Sequence, residues 1–244
     1  MRFTAIIPAR MKSTRLPGKP LALIAGKPMV VRVAERAALA GAARIAVATD
    51  HPDIVSACRE HGVTALLTRE DHATGTDRLA EAAGILELPE DEIVVNVQGD
   101  EPLIPPAVIS DVAAQLATAP DCAIATAAHK IYDIEGFLNP NVVKVELDRS
   151  GRAMTFSRAP LPWPRDQFRE DPGKLPAGFE ALHHIGLYAY RASFLRQFPH
   201  LERAPIERHE SLEQLRAMWH GFRIAVMVLD ENLPAGVDTP EDLE

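Results

Sequence analysis

Four basic side chains fall within ten residues of an acidic chain: Arg10, Lys12, Arg15 and Lys19, in the stretch 8–20. Gly18, next to Lys19, lets a ligand approach the backbone closely. Amide donors and positioned cations in one short loop are the parts of a polyanion cradle, although a solvated basic turn has the same composition. Neither GxxxxGK[ST] nor GxGxxG occurs in the chain, so the loop is not a P-loop and the usual dinucleotide marker is missing. The matching acidic groups lie far off in sequence, in Gln98-Gly99-Asp100-Glu101-Pro102 and in Gly236-Val237-Asp238-Thr239-Pro240. A carboxylate opposite the basic loop suits Mg²⁺ held against nucleotide phosphates. That ion takes hard oxygen ligands, few of them from protein. Asp100 also reads as a turn residue. Asp238 also reads as the N-cap of a terminal helix, with Pro240 in its first turn, and Glu101 as a support for its loop.

These groups need a frame, and apolar periodicity supplies one. Short β-branched runs at 3–7, 45–48, 63–67 and 93–97 read as buried strands, the first stopped by Pro8. Helical patterns at 29–40, 53–61, 77–86 and 107–117 lie among them, with Gly41 as a helix stop. Strands spaced by helices mean βαβ units and a mainly parallel, Rossmann-like α/β sheet with helices on both faces. Ligands bind beyond the carboxyl ends of such strands, which points to 8–20, 49–52 and 98–102.

The second half has another pattern. Strands are expected at 142–147, 153–157 and 185–190, with Ser150-Gly151 turning a hairpin between the first two. This predicts an antiparallel insertion on one edge of the sheet. Residues 160–176 hold five prolines and read as an ordered excursion or flap. A helix at 211–220, a strand at 224–229 and a terminal helix at 238–243 follow. The expected organisation is one domain over 1–244: a nucleotide-binding part (1–130), the insertion (131–205) and a return to the main sheet (206–244).

Composition narrows the function. The chain has 244 residues, 47% apolar and 25% charged, with a net charge of −8. It is long enough to bury a core without staples. Its charge argues against a nucleic-acid or anionic-membrane surface. Cys58 and Cys122 form no disulfide framework and read as small buried hydrophobes. No apolar run approaches the ~18 residues of a membrane span. The N-terminus lacks the features of a signal peptide, so the expected location is the cytoplasm.

Polar residues also pattern the second half. His184, Gly186 and Tyr188 alternate onto one strand face, and Glu210 and Gln214, four apart, are expected on one helix face. Such stripes suit a ligand rich in hydroxyls. Trp163 and Trp219 read as packing residues, and the apolar spacing over 212–219 as core or a dimer contact.

The string IIPAR…STRLPGKPL at the start resembles the sugar nucleotidyltransferases that make CMP-activated acidic sugars, in particular the 3-deoxy-manno-octulosonate (Kdo) cytidylyltransferase, or CMP-Kdo synthetase, family. The likeness continues through VATDHPDI (47–54), TREDHATGTDRLAE (68–81), VNVQGDEPLIPP (95–106), NPNVVKV (139–145), SRAPLPW (157–163), HHIGLYAYR (183–191), LEQLR (212–216) and GVDTPEDLE (236–244). It implies CMP transfer from CTP to Kdo, as a precursor step to lipopolysaccharide in a Gram-negative cell, by a homodimer. It implies Mg²⁺ on Asp100 and Asp238, and Arg10, Lys19 and Asp100 as catalytic residues. It implies nucleotide contacts from Pro8, Ala9, Arg10, Arg15, Lys19, Thr74, Gly75 and Gln98. Sugar contacts are implied for Arg78, Gln98, Arg158, His184, Tyr188, Glu210 and Gln214, with Arg158 as partner of the sugar carboxylate. The family wording S-G-T-E-R becomes Thr74-Gly75-Thr76-Asp77-Arg78 here, a conservative departure at 74 and 77 that leaves Gly75 and Arg78 intact. Sialic acid enzymes diverge toward an S-K-x-x-x-x-K-N pattern that this chain lacks, whereas 8-amino-Kdo enzymes differ by a contact that sequence does not resolve. A non-catalytic nucleotide sensor is the competing class, and one would be expected to lose Lys19, Asp100 or Asp238.

Overall fold

A computed structural model describes residues 1–13 and 15–244; Thr14, inside the basic loop, lies outside the described residues. The strands are β1 (Thr4–Ala9), β2 (Leu23–Ile24), β3 (Lys27–Pro28), β4 (Arg44–Thr49), β5 (Ala65–Leu67), β6 (Ile93–Asn96), β7 (Ile124–Lys130), β8 (Lys144–Leu147), β9 (Ala153–Ser157), β10 (Leu182–Arg191) and β11 (Ile224–Leu229). The helices are α1 (Met29–Leu39), α2 (Pro52–Glu60), α3 (Gly75–Ile85), α4 (Pro106–Ala117), α5 (Ile134–Leu138), α6 (Gln167–Glu170), α7 (Ala192–Gln197), α8 (Pro205–Glu210), α9 (Gln214–Trp219) and α10 (Pro240–Leu243). The result is a mixed α/β fold with a mostly parallel sheet, helices around it and a smaller antiparallel portion, as the alternation predicts.

The chain forms two compact units. The first comprises Met1–Pro120, Leu187–His200 and Leu233–Glu244. Its strands β6, β1, β4 and β5 are parallel, in that order, with Thr4 opposite both Arg44 and Val94. The final residues of β10 pair antiparallel with β6, Tyr188 opposite Asn96. Ala5, Ile6 and Ile7 are buried in succession, as a parallel strand covered on both faces requires. Helix α1 buries Met29, Val30, Val33, Ala34 and Ala37 along one face and stops at Gly41, whose φ of 79° suits the left-handed position.

Pro8 does not stop β1. It pairs with Ala48, and the strand runs on to Ala9. Pairing with β6 ends at Ile6, whose carbonyl accepts from Val97. Two residues on, the missing N–H of Pro8 faces the side where no ladder bond remains to be lost.

The second unit comprises Asp121–Gly186 and Leu201–Asn232. Strand β7 runs parallel to β11, with Ile124 opposite Ile224. Strands β8 and β9 form the expected hairpin, turned at Gly151 with φ 73°, and Leu182 of β10 joins β8 opposite Val145. The proline-rich excursion is anchored by a small aromatic core. Phe137 meets Phe168 and Phe179 edge-on at centroid distances of 6.1 and 5.3 Å. Trp163 rests on Phe168 at 4.9 Å but is otherwise exposed.

Two further local expectations are corrected. Glu210 and Gln214 do not share a helix: α8 ends at Glu210, Ser211 takes a left-handed φ of 52°, and α9 begins only at Gln214. Asp238 is not the cap of α10. Thr239 is, because Pro240 occupies the first helical position and the Thr239 hydroxyl accepts from Asp242. Strand β7 has no counterpart in the apolar periodicity, because IATAAHK carries little apolar bulk beyond Ile124.

Candidate active site

A cleft of about 530 Å³ opens in the first unit beyond the carboxyl ends of β1 and β6. Pro8, Ala9, Arg10, Arg15 and Lys19 line it from the basic loop, Thr74 and Gly75 from the start of α3, Gln98 and Asp100 from the segment after β6, and Asp238 from the C-terminal segment. Every nucleotide and metal candidate named from sequence is therefore brought to one cavity, joined by Lys12 and Ser13.

Backbone packing sets the walls. Gly99 lies so close to β1 that a Cβ there would stand 2.8 Å from the Pro8 carbonyl oxygen, so the approach requires glycine. Gly18, left-handed at φ 69°, starts the single 3₁₀ turn that carries Lys19. The C-terminal segment is tied to the segment after β6: the Val237 N–H donates to the Asp100 carbonyl at 2.8 Å, and a Cβ on Gly236 would lie 3.1 Å from that same oxygen. Asp100 and Asp238, 138 positions apart, are thereby brought to one ammonium. Lys19 Nζ donates to Asp100 Oδ2 at 2.6 Å and to Asp238 Oδ1 at 2.9 Å, while Arg15 reaches Asp238 Oδ2 at 2.9 Å. Burial pulls the Lys19 pKa down, but hydrogen bonds and charge from Asp100 and Asp238 outweigh it and leave the group above its ordinary value. Burial, helped by the charge of Asp100, pushes the Glu101 carboxyl up to about 7. Its backbone closes the turn, accepting from Ile104 at 3.2 Å.

Thr74 caps α3 in a reciprocal box. Its hydroxyl accepts from the Asp77 N–H at 3.2 Å and donates to Asp77 Oδ2 at 2.8 Å, and Asp77 accepts the Thr74 N–H at 3.0 Å. Arg78 is fully buried. It donates to Thr68 Oγ1 at 2.5 Å and to Asp50 Oδ2 at 3.1 Å, while its Nε has no hydrogen-bond partner among the described residues. Tyr188, also in the first unit, is buried and stacked on Tyr190 at 5.6 Å.

The other sugar candidates lie in the second unit. Arg158 and Glu210 come together: the Arg158 N–H and Nε donate to Glu210 Oε2 and its carbonyl at 2.9 and 2.6 Å, and Ser157 donates to Oε1 at 2.7 Å. Gln214 is buried, with Nε2 unpartnered among the described residues. His184 is buried against Phe156. Thr126 gives its one hydroxyl hydrogen to the Ile185 carbonyl, so His184 Nε2, 3.0 Å away, is the donor to Thr126. Burial, then the charge of His183, pushes the His184 pKa down to about 3.

Among the described residues no group of three or more His, Cys, Asp or Glu side chains could hold a metal. Two hard carboxylates beside a strongly basic loop nevertheless fit a cation that completes its shell with phosphate oxygens and water. Sequence reading passed over Asp50, His72 and Glu81, which organise the loop before α3. The stretch TREDHATGTDRLAE contains the latter two, outside its central TGTDR.

Residues 4–224 match the family model described as Cytidylyltransferase. The chain is similar to the structure of CMP:2-keto-3-deoxy-manno-octonic acid synthetase complexed with CTP, at 39% identity over 100% of this chain and 95% of that one, with a TM-score of 0.89. A cytidylyltransferase from Leptospira borgpetersenii serovar Hardjo-bovis (strain JB197) is 17% identical over 99% of this chain and 82% of its own, with a TM-score of 0.60, and shares the fold. With a basic loop, a braced carboxylate and a C-terminal aspartate lining one cleft, and a family match running nearly end to end, the chain belongs to the cytidylyltransferase family.

Proposed function

We propose that the chain transfers CMP from CTP to the anomeric hydroxyl of Kdo, giving CMP-Kdo and pyrophosphate. The observation that carries this reading is the full-length likeness to a CTP-complexed synthetase of that sugar. The hydroxyl oxygen forms a new bond to the α-phosphorus, the α–β bridging P–O bond breaks, pyrophosphate departs in line, and the hydroxyl proton passes to solvent. No Ser, Cys or His nucleophile is needed. The chain's work is positioning and charge compensation. Arg10, Arg15 and Lys19 offset the phosphate charges. Pro8, Ala9, Thr74, Gly75 and Gln98 shape the nucleotide wall. Asp100 and Asp238 are the proposed Mg²⁺ ligands, both carboxylates meeting the ammonium of Lys19. Mg²⁺, when bound, supplies Lewis-acid polarisation of phosphate oxygens and lowers the pKa of the attacking hydroxyl.

The proposed sugar contacts are Arg158, His184, Glu210 and Gln214 in the second unit and Arg78, Gln98 and Tyr188 in the first. The single nucleotidyltransferase domain (1–130, 131–205, 206–244), the homodimer, the cytoplasmic location and the lipopolysaccharide role are parts of the same proposal. No helix among the described residues is long and apolar enough to cross a membrane.

Calorimetry of CTP with and without Mg²⁺, followed by coupled pyrophosphate release with Kdo, 8-amino-Kdo and sialic acid, tests the reading. Divalent-dependent CTP uptake and fastest release with Kdo are expected. Folded protein that takes up no CTP would overturn it, and faster release with another sugar would move the substrate. Light scattering at two concentrations tests the dimer.

A further inference from the structure

Arg10 is anchored by one hydrogen bond among the described residues: its Nη2 donates to the His72 carbonyl at 3.3 Å. A loop carbonyl aims a guanidinium only if the loop itself is held, and α3 holds this one with two charged residues a turn apart. Arg78 grips Thr68 and Asp50. Thr68 is further fixed to the Thr49 carbonyl through its N–H and hydroxyl, at 2.8 and 3.0 Å. Three residues on, Glu81 Oε2 accepts the Arg69 N–H at 3.0 Å and also meets His72 Nε2. Burial pushes the Glu81 pKa up, but the hydrogen bonds from His72 and the Arg69 N–H outweigh it and hold the carboxyl below its ordinary value. The Arg69 side chain is turned to Asp71 in a bidentate pair, both distances 2.8 Å, and leaves Glu81 to the loop.

His72 therefore works in two directions. Its ring is tied back to α3, while its carbonyl meets Arg10 at the cleft. The next residues, Ala73, Thr74 and Gly75, already line the cleft wall. We infer that Glu81 and His72 are positioning residues for Arg10, their hydrogen bond fixing the carbonyl that aims the guanidinium at the bound nucleotide's phosphates. Neither side chain touches the nucleotide. The inference rests on the reading of the cleft as the CTP site.

The test is a double-mutant cycle. Glu81→Ala, Glu81→Gln and His72→Ala are made in the wild type and in Arg10→Ala, and CTP affinity is read by calorimetry beside the KM values for both substrates. Glu81→Ala and His72→Ala are expected to weaken CTP binding about tenfold and to leave the sugar KM unchanged. Glu81→Gln, which keeps one acceptor oxygen, should recover part of the loss. In the Arg10→Ala background the same changes should cost less than about twofold. A full tenfold loss in the absence of Arg10, or no loss in its presence, overturns the positioning role. If Glu81→Ala does not fold, His72→Ala decides the matter from the loop side. Wild-type protein that takes up no CTP would instead sink the reading of the cleft, a result distinct from CTP binding that is indifferent to Glu81.

Discussion

The cleft of the first unit and the interior of the second treat charge in opposite ways. At the cleft of the first, charges sit on loops, partly exposed, and share partners: Lys19 with two aspartates, Asp238 with both Lys19 and Arg15. In the second, a few charged side chains are sunk away from solvent. Glu207, 1% exposed, accepts from Arg216 Nε and Nη2 at 2.9 and 2.6 Å, and Lys144, 0% exposed, donates to the carbonyls of Asn139 and Val142 at 2.9 and 2.6 Å. Partly exposed pairs add little stability and can trade a partner for a ligand, whereas a buried group cannot lose its partner cheaply. Substitutions in the first set should register in activity and those in the second in stability.

The largest effect expected is in the second unit. Glu207→Ala leaves Arg216 buried without its carboxylate and should cost about 3–5 kcal/mol. Urea unfolding followed by tryptophan fluorescence measures it, because both tryptophans, Trp163 and Trp219, belong to that unit. Turnover of the fraction that remains folded should be unchanged. A loss below ~1 kcal/mol, the range of a surface pair, would break the contrast. The counterpart is Asp100→Asn. It should lower turnover by at least ~100-fold, on the order of 3 kcal/mol of barrier, and change stability by no more than ~1 kcal/mol. Near-normal turnover at saturating Mg²⁺ would remove Asp100 from the chemistry.

The same contrast explains what the sequence discloses. The first unit is legible because its signals are local. IVVNV is a strand by composition, Arg10 to Lys19 is a basic cluster in an acidic chain, and the strand-end rule puts 8–20 and 98–102 at the ligand. The second unit hides its logic in tertiary contacts. Ser211 adopts the left-handed region although serine carries no mark of it, and that turn breaks the helix between Glu210 and Gln214. IATAAHK is a largely buried strand whose small residues look neutral. Short helices such as α5 and α8 are fixed by packing and not by propensity. Even in the first unit, the join between Gly236-Val237 and Asp100 rests on a backbone hydrogen bond that no spacing announces.

Buried histidines sharpen the comparison through pH. His184 stays neutral down to about 3, whereas the unfolded chain's histidine takes a proton near 6.5. Below pH 6.5 the unfolded form therefore binds a proton that the folded form refuses, and stability falls as pH drops, until the folded form itself protonates near 3. His183, pushed down to about 4 by burial, then by His129 and Lys144, acts in the same direction. Between pH 6.5 and pH 5 the His184 contribution is about 1.6 kcal/mol. Urea midpoints at the two pH values, in wild type and His184→Asn, measure it. The variant should lose the His184 share, about half of the slope that His183 and His184 give together. An unchanged slope would mean that His184 is not the group responsible.

The smallest effect concerns a residue that crosses the divide. Thr74 lines the cleft, yet its hydroxyl is spent inside α3, accepting from one Asp77 group and donating to another. A hydroxyl that already gives its hydrogen to Asp77 has none left for a base or ribose. Thr74→Ala should therefore behave like a change in the second unit, costing about 1 kcal/mol of stability as a lost cap does and shifting CTP affinity by less than about threefold. Thr74→Ser should restore the stability, because the cap needs only the oxygen and its hydrogen. Melting temperature and calorimetric CTP affinity, taken on the same samples, separate the two roles. A tenfold affinity loss at unchanged melting temperature would place the hydroxyl among the ligand contacts, and the line between exchangeable and committed groups would then run through Asp77 instead.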